Sequence, residues 1–179
     1  MRLITKLVHP ALQTLEGRIL QRQAARAIVL KAQRILLLFT ERYNDFSFPG
    51  GGVDAGEDLV AGLRRELGEE TGASNIRAIR HFGIVEEFRP HAKPGFDLMH
   101  MTSHYFTCDV DTALGRTRME HYETDNGMRP VWVDLASAIP HNRAVMQRQE
   151  RCMGLSIHRE TFMLAKVMEE LLAAPEATR

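Results

Sequence analysis

Cysteine is nearly absent: Cys108 and Cys152 lie far apart and form no C-x-x-C or metal-spaced pattern, so both read as small buried or surface thiols. Net charge is absent as well. Twenty-three basic residues balance 23 acidic ones, so no positive field draws the chain to nucleic acid or anionic membranes, and a large polyanion is a poor default partner. Long apolar runs are missing too. The N-terminal MRLITKLV is broken by Lys6, and no stretch approaches the 18 apolar residues of a membrane span, which leaves a cytoplasmic location as the default expectation. The eight histidines are scattered, and His100 and His104 sit four apart in an apparent strand rather than on a helix face, which disfavours zinc.

What is present centres on the stretch from Gly51 to Ala73, GGVDAGEDLVAGLRRELGEETGA. Pro49 and the glycines Gly50, Gly51 and Gly52 make a turn that a helix cannot cross and that lets a ligand approach the backbone. Asp54 or Asp58 can cap the helix that follows, and Gly72 can close it at C′. At about 100° per residue, Glu66, Glu69 and Glu70 share one sector beside an apolar stripe of Leu59, Val60, Leu63 and Leu67. Like charges one turn apart repel, and a bound cation would remove that cost. Oxygen-only ligands suit a hard ion, Mg²⁺ or Mn²⁺, which is readily shared with substrate phosphates. Gly62 lies on the acidic sector, where a missing side chain is expected to leave room for a ligand; Gly68, on another face, has no such account.

This stretch resembles the signature of the Nudix hydrolases, G-x5-E-x7-R-E-U-x-E-E-x-G-U with U apolar, matched by Gly51, Glu57, Arg65, Glu66, Leu67, Glu69, Glu70, Gly72 and Ala73. With fixed residue types at ~7% usage each, a chance match is on the order of 10⁻⁷. The resemblance implies hydrolysis of a diphosphate linkage in a nucleoside diphosphate joined to another group, such as a nucleoside triphosphate, ADP-ribose or nucleotide sugar, by water with metal assistance. It implies Glu66 and Glu70 as metal ligands, Glu69 as ligand or outer partner, the Gly51 carbonyl as a further ligand, and an Arg65–Glu57 ion pair as support. The general base stays open among Glu66, Glu69 and a loop acid such as Glu123. An RNA 5′-end pyrophosphohydrolase and a nucleotide-binding regulatory module are the alternatives. The proline that accompanies ADP-ribose activity about fifteen residues past the signature is Phe88 here, with Pro90 slightly late.

Around this stretch, AIVL and ILLLF, separated by KAQR, read as a buried hairpin. Tyr43, Phe46 and Phe48 follow, suited to packing under the glycine turn or to stacking on a base. NIRAIRHFGIVEEF, with a bend at Gly83, and HMTSHYFTCDV read as strands. Between them RPHAKPGFD carries Arg89, Lys93 and Phe96, cations and an aromatic suited to a phosphate and a base. Glu120, Glu123 or Asp125 could reach the metal site from the next polar segment. RPVWVDL reads as a short strand running into a turn of helix before Pro140. The tail from Arg143 to Leu172 reads as one or two amphipathic helices with Phe162, Ala165, Val167, Met168 and Leu171 inward.

This order predicts an α/β protein with a mixed sheet between helices, an α/β/α sandwich like the Nudix fold. A single domain is expected over residues 26–174, including a C-terminal helix. Residues 1–25 form an N-terminal extension that could cover the sheet or contribute to a homodimer.

Overall fold

The structure is a computed structural model that describes residues 1–91 and 94–172. Strands β1 Leu3–Val8, β2 Ile19–Ile28, β3 Leu30–Lys31, β4 Arg34–Thr40 and β5 Asp45–Ser47 precede helix α1 Leu59–Thr71. They are followed by β6 Arg77–Pro90, β7 Leu98–Asp109, α2 His121–Asp125, β8 Met128–Asp134, α3 Leu135–Arg148 and α4 Ile157–Val167, which continues into a π-helical turn, Met168–Leu172. Residues 173–174, the end of the expected domain, lie outside the described residues.

Two four-stranded sheets form. The first, ordered β1-β6-β7-β2, is mixed: β6 and β7 are antiparallel, while β1 joins β6 and β2 joins β7 in parallel. The second is antiparallel around β4, which pairs β3 and β5 at successive positions and β8 along its length. The ILLLF run of β4 is apolar at every position because both faces are covered. Ile35 and Leu37 pack with Leu135 and Ile139 of α3 and Met163 and Leu164 of α4, while Leu36 packs with Leu63 and Leu67 of α1. Helices on both faces of β4 make the α/β/α sandwich that the order of elements predicted. Residues 1–25, whose structure the sequence left open, supply β1 and most of β2.

Three local expectations are corrected. The hairpin of AIVL and ILLLF is shorter than the two runs, because β2 pairs with β7 in register from Ile19–Leu98 to Ile28–Thr107; Leu30 and Lys31 pair with Ile35 and Arg34 of β4, and the Leu36 amide donates to the Val29 carbonyl at 3.0 Å. The turn is then Ala32–Gln33 alone, with Ala32 at a φ of 53°. Helix α3 does not stop before Pro140 but runs through it; the lost backbone bond is offset by the burial of Ala138, Ile139, Asn142 and Val145 around it. On α4 the inward face carries Ile157, Met163, Leu164 and Val167 together with Arg159 and Glu160, while Phe162 and Leu171 are exposed. An Arg–Glu pair within the buried arc turns the helix away from the purely apolar stripe.

Candidate active site

Helix α1 starts where Asp58 Oδ1 accepts hydrogen bonds from the Val60 and Ala61 amides at 2.9 and 3.1 Å. It ends at Gly72, whose φ of 69° suits glycine and whose amide donates to the Gly68 carbonyl. Asp54 is not the cap; its amide donates to Glu57 Oε2 at 3.0 Å. The glycine turn then meets the acids through its backbone. The Gly50 amide donates to Glu70 Oε2 at 2.5 Å, and a Cβ at Gly50, with its φ of 123°, would collide with the Ala25 carbonyl. A Cβ at Gly51 would overlap the Glu66 carboxylate. The Gly51 carbonyl accepts from the Ala25 amide at 3.0 Å, which leaves one lone pair for another partner.

Arg65 ties these parts together. Its Nε and Nη2 donate to the two Glu57 oxygens, each at 3.0 Å, its Nη2 also reaches the Gly52 carbonyl at 3.1 Å, and its Nη1 donates to Glu66 Oε1 at 2.6 Å. The Arg65 guanidinium, with the Asp54 amide, holds the Glu57 carboxyl down to about 2. Gly62 serves the same clamp rather than a ligand: a Cβ there would sit 3.0 Å from Glu57 Oε2 and 3.3 Å from Val53 Cγ2. The space expected for substrate is filled by the supporting glutamate. A Cβ at Gly68 would meet only the Ala73 carbonyl, at 3.7 Å, and nothing in the structure explains that glycine.

The clamp borders a cavity of about 640 Å³. Of the residues singled out from the sequence, Gly51, Arg65, Glu66 and Glu70 line it, joined by Arg89 from β6 and by Glu120 and Glu123 from the start of α2. Glu57, Glu69, Asp125 and Phe96 do not. Glu69 is 36% exposed with its carboxylate 3.6 Å from Arg65 Nη1, Asp125 is bound to His121, and Phe96 is exposed with its ring against His91. Lys93 lies outside the described residues.

Glu70 and Glu123 are 4% and 5% exposed. Burial pushes the Glu70 carboxyl well above the usual range; the Gly50 amide and Arg26 oppose this, and the charges of Glu123 and Glu66 add to it. Burial also raises Glu66, against Arg65 and with Glu123 and Glu69. Glu123 Oε2 accepts from the Glu120 amide at 2.8 Å and Oε1 from the Tyr122 hydroxyl at 3.1 Å, a capping box that holds the side chain at the cavity wall. Because these carboxylates turn toward their own protein donors, no three His, Cys, Asp or Glu groups among the described residues are gathered closely enough to hold a metal ion in this geometry. The donor set nonetheless fits a hard cation in chemistry. It is all oxygen and largely withdrawn from water, and the neighbouring carboxylates push the Glu66 and Glu70 pKa values up, a penalty that a divalent charge beside them would reverse.

Several lining residues escaped the sequence. Arg22 and Arg26 lie on one face of β2, with Arg26 Nη1 donating to the Phe48 and Gly50 carbonyls at 3.2 and 2.5 Å. An arginine inside the apolar run AARAIVL was the available signal. Arg159 and Glu160 of α4 and Asp45 of β5 also line the cavity, and nothing local distinguishes them from surface charge. Arg89 has no carboxylate partner among the described residues; its Nη2 contacts Met99 Sδ at 3.6 Å, and burial lowers its pKa.

The Nudix domain family model matches residues 20–152. Two RNA pyrophosphohydrolases, from two strains of Caulobacter vibrioides, are each 54% identical over 37 residues, and the chain spans about a fifth of their length, 21% of either partner. Among solved structures, the MutT Nudix hydrolase from Burkholderia pseudomallei is 21% identical with a TM-score of 0.49, covering 65% of this chain and 84% of that one. The mMutator MutT protein from Bacillus halodurans is 18% identical with a TM-score of 0.49, covering 66% and 72%.

Proposed function

The chain belongs to the Nudix family, and from that premise we propose that it is a pyrophosphohydrolase that cleaves the diphosphate of a nucleoside diphosphate linked to another group, with Mg²⁺ or Mn²⁺ as cofactor. One observation carries this: Glu66 and Glu70 of α1 and Glu123 of α2 share a cavity with Arg22, Arg26 and Arg89, which make no salt bridge among the described residues. Glu66 and Glu70 would hold the cation with the remaining lone pair of the Gly51 carbonyl, and Glu123 would complete the set from α2. Bound there, a divalent ion supplies charge neutralisation at the phosphoryl oxygens and a lowered pKa for the attacking water.

The chain's own groups do the rest. Arg65 fixes Glu66 against the turn, so the carboxylate is oriented before substrate arrives. Arg89, a cation with no carboxylate of its own among the described residues, binds the substrate's phosphates and spreads their charge. A proton leaving the attacking water passes to Glu66 or Glu123, since Glu69 stands outside the cavity lining. A small-molecule nucleotide is the first substrate class to test, and the partial likeness to RNA pyrophosphohydrolases makes a triphosphorylated RNA 5′ end the second.

The test is release of phosphate or pyrophosphate from nucleoside triphosphates, ADP-ribose, nucleotide sugars, dinucleoside polyphosphates and a triphosphorylated RNA oligomer, with Mg²⁺ or Mn²⁺ and with excess EDTA. At least one substrate should turn over, and only with metal. Full turnover in excess EDTA sinks the metal assignment.

A further inference from the structure

Asp45 is a buried carboxylate that the chemistry above does not use. It opens β5, is 3% exposed, and lines the same cavity as Glu66 and Glu70. Among the described residues no N–H or O–H group donates to it, and burial, with the charge of Glu160, pushes its pKa up to about 7. Buried polar groups are nearly always partnered, so an acceptor left facing a cavity points to a partner that comes with the ligand.

The mounting is rigid. Asp45 pairs with Thr40 on β4. On the opposite edge of β5, Asn142 brackets the next residue: the Phe46 amide donates to Asn142 Oδ1 and Asn142 Nδ2 donates to the Phe46 carbonyl, both at 2.9 Å. His141 Nε2 donates to the Asn44 carbonyl at 2.8 Å. The chain between α3 and α4 approaches closely at Gly154, where a Cβ would sit 3.1 Å from Asp45 Oδ2 and 3.6 Å from the Tyr43 ring. Glycine at that position keeps the carboxylate oxygen clear.

The surroundings indicate what approaches. Tyr43, Leu38 and Met128 add aromatic and apolar surface to the cavity that Asp45 and Ser47 line, with Leu38 paired to Ser47 and Thr40 paired to both Asp45 and Met128. Four residues of mainly extended chain separate Asp45 from Gly50, whose amide holds Glu70, so at most about 17 Å of backbone joins Asp45 to the residue that positions Glu70. A nucleotide with its diphosphate at Glu66 and Glu70 can therefore extend its base toward β5.

Resting on the nucleotide reading of the cavity, we propose that Asp45 reads the substrate's base, its two oxygens accepting from two adjacent donors on one edge, the pattern that guanine presents with N1–H and its 2-amino group. Adenine presents a donor beside an acceptor there, and its ring nitrogen would face a carboxylate oxygen. Hypoxanthine keeps N1–H and lacks the amino donor. A ribose diol offers two donors but no flat face for the Tyr43 wall. The site is thus selective for a guanine-type nucleotide.

The experiment compares kcat/KM for GTP, ITP and ATP at pH 8.5, in wild type and in Asp45→Asn, whose amide offers one acceptor and one donor and so suits adenine better than guanine. Wild type should favour GTP over both competitors by roughly ten- to hundredfold, and Asp45→Asn should lower the GTP/ATP ratio by a similar factor. Calorimetric titration of GMP, IMP and AMP reads the same preference without turnover. If no nucleotide is hydrolysed, the proposed substrate class falls, while a GMP affinity about tenfold above that of IMP still supports Asp45 as the base reader. Equal wild-type values for GTP and ITP, or GMP and IMP, overturn the inference whether or not the variant folds. Equal loss of GTP and ATP in a folded Asp45→Asn does the same.

Discussion

Two arginines in this molecule each donate hydrogen bonds to two glutamates, and they do so for different ends. Arg65 joins Glu57 and Glu66 with about a third of its side chain exposed, whereas Arg159 joins Glu87 and Glu160 with all three side chains at 2% exposure or less. Around Arg65 the ions keep contact with water, so their attraction adds little stability and mainly fixes direction: the turn, the helix and the Glu66 carboxylate take one arrangement. Around Arg159 desolvation opposes the attraction, and a full set of partners offsets it. Glu87 accepts at 2.6 Å, Glu160 Oε1 at 2.5 Å, and Glu160 Oε2 takes the Phe48 amide at 3.0 Å, fastening α4 to the strand that enters the glycine turn. One cluster orients the site, and the other holds the framework under it.

Breaking the buried cluster gives the largest effect. Arg159→Met leaves two glutamates unpaired in the interior and should cost about 3 to 5 kcal/mol of unfolding free energy, measured by denaturant titration. A loss below about 1 kcal/mol would erase the distinction between the clusters.

Arg65→Lys sharpens the same contrast from the other side. Lysine keeps the charge but cannot span both Glu57 oxygens, the Gly52 carbonyl and Glu66, so activity should fall roughly ten- to hundredfold while stability moves by less than about 1 kcal/mol. Measuring kcat and unfolding on one preparation decides; a large stability loss with normal activity would reverse the two roles. The smallest effect is expected at Arg89, which belongs to neither cluster. Arg89→Ala should raise KM for the confirmed nucleotide by about tenfold with a smaller fall in kcat, the mark of lost uniform binding. An unchanged KM removes Arg89 from the substrate site.

The two clusters also differ in how visible they are in the sequence. Asp58, Gly72 and the spacing of Glu57, Arg65, Glu66 and Glu70 act locally, through a cap, a left-handed residue and one or two helical turns, so α1 and its clamp can be read without tertiary knowledge. Exposure is not local. Glu66 and Glu69 share a helical sector, yet only Glu66 faces the cavity, and the room beside Gly62 belongs to Glu57 because the preceding loop folds back onto the helix. Arg159 and Glu160 resemble the polar face of an ordinary helix, and only their meeting with Glu87 from a distant strand makes burial affordable. The β2–β7 pairing is hidden for a related reason: the nearby ILLLF looks like a hairpin partner, while the actual partner lies beyond the whole of α1 and β6.

If the proposed chemistry is right, the acids of α1 bind a divalent cation that serves diphosphate cleavage. The most direct measurement is Mn²⁺ binding, followed by calorimetry or by the loss of the free-ion paramagnetic signal, in wild type and in Glu70→Gln, alongside kcat for the confirmed substrate. Glutamine preserves the shape of the side chain and removes its charge, so Mn²⁺ affinity and kcat should fall together, kcat by several orders of magnitude, with the unfolding transition retained. Wild-type Mn²⁺ affinity and wild-type turnover in Glu70→Gln would contradict the account and put the metal elsewhere.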